Sequence, residues 1–173
     1  MKKALLVIIF IAIAITNAAA QQVLTKYGDN VGTLDGIIKA YYDVVTVKKG
    51  EAPSYERDSL LHIAGARVGS GGMDKQGNQY FNYTTLKEYH RVSDGYLQRN
   101  GFDEKEIARK VEHFGSIYHV WSTYESRHTA GGPVFERGIN SIELFFDGKR
   151  FWILGWFFDG ERKDNPIPAE YLK

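Results

Sequence analysis

Five histidines (His62, His90, His113, His119 and His128) are the side chains in this chain best suited to moving protons near neutral pH. No two stand at a close metal-ligand spacing such as H-x-x-x-H, and no compact Asp/Glu cluster accompanies them, so no metal site is expected. The chain has no cysteine, which removes disulfides, thiol nucleophiles, zinc–thiolate sites and iron–sulfur clusters. His62 is a candidate general base, with a hydrogen-bonded or surface loop histidine as the alternative. His119 alternates with Trp121, Thr123 and Glu125 along one strand face, which would line either a cavity or an interface. Glu125 and Glu143 are the candidate acid–base carboxylates, because a carboxylate facing Trp152 or Trp156 has its charged form disfavoured. Either can instead pair with Arg127, Arg137 or Arg150 on a neighbouring strand.

The elements that must position these groups read as helices first and strands later. Thr33 caps a helix whose apolar residues Leu34, Ile37, Ile38, Tyr41, Val44 and Val45 recur at helical spacing, with Lys48-Lys49-Gly50 as its stop. Ser54 opens a shorter helix through Leu61 that buries Tyr55, Leu60 and Leu61. Ala64 to Val68 reads as a short strand, broken by Gly69-Ser70-Gly71-Gly72. A third helix runs from Thr85 to Arg99, with Thr85 and Glu88 as a capping box and Leu86, Tyr89, Ser93, Tyr96 and Leu97 on one face. Strands follow over 104–114 and 117–127, on either side of Gly115.

Asp147-Gly148 between two aromatic runs predicts a two-residue turn, pairing Phe146 with Lys149 and Leu144 with Phe151. One face of that hairpin carries Ile142, Leu144, Phe151 and Ile153. The other carries Ile139, Glu143, Trp152, Leu154, Trp156 and Phe158. Both faces are largely apolar and both need cover. The loop from Gly69 to Gly77 lacks the Gly-Lys-Ser/Thr ending of a phosphate loop.

The N-terminus reads as an export signal. Lys2 and Lys3 precede an unbroken apolar run from Ala4 to Ile15, and Ala18-Ala19-Ala20 supplies the small residues of a cleavage site. The run is short of the roughly 20 apolar residues of a membrane-spanning helix, so no stable anchor is expected after cleavage. The expectation is a cleavable signal peptide over 1–20, a flexible lead-in over 21–32 and one domain over 33–173. The mature chain then carries 20 basic and 21 acidic residues, a balance of −1 against +1 for the whole. A surface that close to neutral suggests no nucleic acid as partner. The expected location is the periplasm or the medium.

Several stretches carry a family resemblance. Ile37-Ile38-Lys39-Ala40-Tyr41-Tyr42-Asp43, Leu60-Leu61-His62 and Ala66-Arg67-Val68 fit the start of the nuclear transport factor 2-like superfamily pattern. Ser122-Thr123-Tyr124-Glu125-Ser126-Arg127, Arg137-Gly138-Ile139-Asn140-Ser141-Ile142 and Gly148-Lys149-Arg150-Phe151-Trp152-Ile153 resemble its SnoaL-like members. The superfamily includes ketosteroid isomerase, scytalone dehydratase and polyketide cyclases. The resemblance implies an α+β cone-shaped roll, with about three N-terminal helices packed against a strongly curved antiparallel sheet around an apolar cavity.

It also implies cofactor-free chemistry drawing on Tyr41, Tyr55, His62, Glu125, Asn140 and Glu143. With the strand faces read above, the candidate catalytic groups are His62, Glu125 and Glu143, and the candidate ligand contacts are Tyr41, Tyr55, His119, Trp121, Asn140 and Trp156. One departure stands out: relatives carry an aspartate after the second helix where this chain has Gly65. The function this implies is an exported domain that binds a small apolar or carbonyl-containing molecule. A cofactor-independent isomerase, dehydratase or cyclase, and a homodimeric module pairing through the sheet, are the alternatives.

Overall fold

The computed structural model describes residues 30–173. The signal-peptide assignment at 1–20 and most of the lead-in lie outside the described residues. The last of the lead-in is held in place: Val31 is buried, and its carbonyl accepts a hydrogen bond from Phe151 N at 2.8 Å.

Helix α1 spans Leu34–Val45, α2 Tyr55–Ser59 and α3 Leu86–Asn100. Each begins where a hydroxyl can take an orphan backbone N–H. Thr33 Oγ1 accepts from Gly36 N at 3.1 Å, Ser54 Oγ from Arg57 N at 3.2 Å, and Thr85 Oγ1 from Glu88 N at 3.2 Å. Helix α3 ends as its sequence predicts, at Gly101 with φ +75°, whose N–H returns to Leu97 O. Helix α2 is shorter than expected, and Tyr55 stays exposed because the buried position of that turn goes to Asp58.

Six strands follow: β1 His62–Met73, β2 Gln79–Thr85, β3 Asp103–Phe114, β4 Ile117–Arg127, β5 Val134–Phe146 and β6 Phe151–Gly160. They form one sheet in the order β2-β1-β6-β5-β4-β3. The expected antiparallel sheet is in fact mixed, since β1 runs parallel to β6. The chain makes the β1–β2 hairpin, crosses through α3 to the far edge and meanders back, so β6 meets the free edge of β1 running in the same direction. The sheet is also not strongly curled, contrary to expectation. With β2 and β3 at opposite ends of the order, it stays open.

Two local expectations change with this pairing. The glycine run does not break β1: Gly69 pairs with Tyr83 on one side and Phe157 on the other. A Cβ at Gly69 would lie 2.3 Å from the Phe157 ring, so glycine is what lets the aromatic rings close over the strand. The last hairpin pairs Phe146 with Phe151 across a four-residue loop rather than a two-residue turn. Asp147 Oδ1 accepts from Lys149 N and Arg150 N, both at 2.8 Å, and Oδ2 accepts from Trp152 Nε1 at 2.8 Å, which stabilises the wider loop.

An irregularity in β6 then decides which way Trp156 faces. Leu144 pairs with Ile153 but Ile142 pairs with Trp156, so β6 carries one extra residue and Trp156 turns to the inner face. There it joins Ile142, Leu144, Val120 and Ile153 against Ile37, Ile38 and Tyr41 of α1. Burying side chains of this kind contributes about 1.5–3 kcal/mol each, the main force holding helices to sheet. The outer face is covered at one end by the chain's own tail, where a short 3-10 turn at Ala169–Tyr171 sits and Tyr171 O accepts from Thr123 Oγ1. Among the described residues no helix is long and apolar enough to cross a membrane.

Candidate functional site

Between α1, α3 and the inner face of β3–β6 lies a cavity of about 200 Å³. Helix α1 contributes Tyr41 and α3 contributes Tyr89, while the sheet contributes Glu104, Tyr124, Glu136, Asn140 and Trp156. The rings of Tyr41 and Tyr89 both stand nearly perpendicular to the Trp156 indole, at 5.6 and 5.7 Å between centroids. Among the described residues, neither phenol hydroxyl has a hydrogen-bond partner. Burial raises the pKa of both well above the usual tyrosine value, so both remain protonated donors.

Glu104 supplies the acid. Burial pushes its carboxyl up from the usual 4.5 to about 7, and the nearby Glu136 adds to the rise. Hydrogen bonds from Ser126 Oγ, at 2.8 Å, and from Asn140 act in the opposite direction without cancelling it. Glu136 accepts from Tyr124 Oη at 3.0 Å.

The polar contacts of Asn140 continue towards the surface. Its amide donates to Tyr42 Oη at 3.2 Å, and Tyr42 lies 2.7 Å from Ser122 Oγ. Ser122 donates its one proton to Glu106, so Tyr42 must be the donor to Ser122. Arg109 closes the chain by donating Nε to Glu106 and Nη1 to Asp35, the latter at 2.7 Å. This run holds the Asn140 amide, and through it one side of the Glu104 carboxyl.

Of the residues singled out in the sequence, Tyr41, Asn140 and Trp156 line this cavity. The others lie elsewhere. With Tyr124 inward, the period of a strand sends Glu125 outward, where it pairs with Arg127 and stands 3.9 Å from Arg137. Glu143 is on the same outer side, 3.8 Å from His119 Nε2. His119 bonds Ser141 Oγ at 2.9 Å and packs on Trp121, which in turn meets Tyr171 of the tail. Tyr55 lies in a shallow surface groove beside His90.

His62 is buried behind Trp156 and does not line the cavity. Its Nδ1 donates to the Asp58 carbonyl at 2.8 Å. Burial lowers its pKa, so it sits there as a neutral ring. Asp58 belongs to a second polar system, in which His90 Nε2 and Nδ1 each lie 2.9 Å from a carboxylate oxygen, of Asp58 and Asp94 respectively. Both ring nitrogens must donate, so His90 is an imidazolium; burial opposes that form, and its two carboxylate partners raise its pKa. Among the described residues no group of three His, Asp or Glu side chains is arranged to hold a metal ion.

Sequence reasoning missed Glu104, Glu136, Tyr89 and Tyr124 as cavity groups. Glu104 lies in the run Asp103-Glu104-Lys105-Glu106, where every residue is charged and no periodicity separates an inward position from an outward one. The register shift between Glu106 and Ala108 further hides its side. Tyr89 did appear on the apolar face of α3, but without a sign that its hydroxyl faces open space.

Fold and site together define an α+β domain with an acid-bearing, aromatic-lined cavity under a sheet. No family model and no curated protein matches the chain. Solved structures do resemble it. A protein of unknown function with a cystatin-like fold from Nostoc punctiforme PCC 73102 aligns over 73% of this chain and 87% of its own, with TM-score 0.53 and 7% identity. A protein from Kribbella flavida aligns over 73% and 86%, with TM-score 0.52 and 9% identity. An NTF2-like protein of unknown function from Methylobacillus flagellatus KT aligns over 78% and 100%, with TM-score 0.49 and 16% identity. These likenesses are of fold alone.

Proposed function

We propose that this chain binds a small organic molecule in the cavity under Trp156. The observation that carries the reading is a carboxyl and two phenol hydroxyls, from Glu104, Tyr41 and Tyr89, facing open space inside an aromatic wall. The two phenol hydroxyls have no partner among the described residues, and buried polar groups left so are costly unless a ligand or water completes them. Ser126 and Asn140 hold the Glu104 carboxyl at the same wall. At about 200 Å³ the space is smaller than the roughly 300–1,000 Å³ of drug-sized sites, which suits a ligand of one ring or less. In this proposal the ligand is met outside the cytoplasm, following the export signal read at 1–20.

A ligand-observed NMR screen of small molecules tests this, with Ser93→Leu filling the cavity from α3. Hits on the wild type that disappear in a folded Ser93→Leu variant support the reading. Hits that persist, or a screen without hits, overturn it.

A second reading is proton transfer on the bound molecule, favoured by one observation: Glu104 titrates near 7, where a group serves equally as acid and base. Tyr41 and Tyr89 would then donate to a carbonyl oxygen. Deuterium exchange next to the carbonyl of a bound ketone, present in wild type and lost in Glu104→Gln, is the expected result. Equal exchange in both proteins overturns this second reading.

A further inference from the structure

We infer that the molecule taken into the cavity is an organic cation, an amine or quaternary ammonium compound held between aromatic faces and carboxylates. The inference rests on the binding reading above and narrows it to a ligand class.

Charge is the first argument. The cavity lining includes two acids, Glu104 inside and the solvent-exposed Glu136 at the rim, and no lysine, arginine or histidine. The arginines of the neighbouring strands are turned to other partners. Arg109 is held by Glu106 and Asp35, and Arg137 stands between Glu125 and Glu161. An anionic ligand would meet carboxyl groups and no counter-charge, and would hold Glu104 protonated. A cation is complementary to the Glu136 carboxylate at the rim and to Glu104 once it ionises.

Ring geometry is the second. Tyr41 and Tyr89 stand at 80° and 83° to the Trp156 indole, so the three rings form a corner rather than a stack. Tyr124 adds a further ring to the wall. An ammonium group against aromatic faces gains about 0.5–2 kcal/mol, most when it is shielded from water. A neutral isostere gains only the area term.

The proton follows from the chemistry. Glu104 keeps its proton near neutrality because burial disfavours the carboxylate and the neighbouring Glu136 adds to that, with no cation in the lining to oppose them. An incoming ammonium favours the carboxylate, so the carboxyl proton passes to solvent and the ion pair remains. No covalent bond is made or broken apart from that O–H.

Calorimetry with two isosteric pairs tests this: choline against 3,3-dimethylbutan-1-ol, and benzylamine against benzyl alcohol. Each cation is expected to bind at least about tenfold more tightly than its alcohol. Its affinity should rise from about pH 6 to about pH 8 as Glu104 ionises, with heats that depend on the buffer because a proton is released. Glu104→Gln should remove the preference and the buffer dependence, and Glu136→Gln should weaken the preference if the first variant does not fold. Alcohols that bind as well as the cations overturn the inference and leave the binding reading standing. If none of the four binds, the binding reading fails and the inference with it.

Discussion

The indole of Trp156 lies against the imidazole of His62, ring centroids 5.0 Å apart, and separates two polar systems within one small domain. On one side is the cavity with Glu104. On the other is the buried set formed by Asp58, His62, His90 and Asp94. Because Trp156 stands between them, His62 cannot reach a molecule in the cavity while the indole keeps this position.

Removing one member of the buried set should be severe. His90→Ala leaves Asp58 Oδ2 without its 2.9 Å partner in a side chain almost wholly out of water. Stripping one partner from a buried pair costs about 3–5 kcal/mol. Urea unfolding should show a loss of that size for His90→Ala, and a smaller added loss when the same change is made in Asp58→Asn. Additive losses would mean that the two side chains act independently.

His62 should make stability fall with acid. Its folded-state pKa is lowered by burial, so near the usual 6.5 the unfolded chain binds more protons than the folded one. The contribution is therefore present above the usual histidine range and is lost as pH falls through the folded value. His90 works the other way: its raised pKa gives stability that is full below the usual range and lost as pH rises through its folded value. His62→Gln should flatten the acid side of the stability–pH curve and leave the opposite slope.

Glu104→Gln should stabilise the unliganded protein in a pH-dependent way. A carboxyl raised to about 7 favours folding fully below its usual 4.5, and that help is lost as pH rises through about 7. Each unit is about 1.4 kcal/mol, so the neutral amide should add up to about 3 kcal/mol at pH 8 and nothing at pH 4. Thermal melts at the two pH values measure it. An equal effect at both would contradict the raised pKa.

Gly69→Ala should cost about 1–3 kcal/mol, since its methyl group would meet the Phe157 ring at 2.3 Å and Phe81 at 3.1 Å. The cost should shrink in a Phe157→Leu background, where the near ring is gone. Chemical unfolding of the two singles and the double gives the coupling. An undiminished cost would point to backbone geometry instead.

Most of the helical framework was legible in the sequence, because helix ends obey local rules. Thr33, Ser54 and Thr85 each announce a start by chemistry confined to the next three residues. Strands β3 and β4 were legible as well, through alternation around Gly115. The order of these elements, helices first and an antiparallel meander after them, also carries the resemblance to the nuclear transport factor 2-like pattern. The sheet was less legible. The parallel β1–β6 pairing joins strands far apart in sequence, and no local signal specifies which free edge a hairpin will find.

The site divides the same way. By residue type and spacing alone, the sequence determined that metal–thiolate and disulfide chemistry are absent and that Tyr41 lies on a buried helical face. Only the tertiary structure decided that Glu104 turns inward, that Glu125 and Glu143 turn outward, and that Trp156 closes the cavity. Side-chain direction in a strand has period two, so one extra residue in β6 or one register shift in β3 reverses everything beyond it. Those irregularities are set by cross-strand packing, which no stretch of sequence carries on its own.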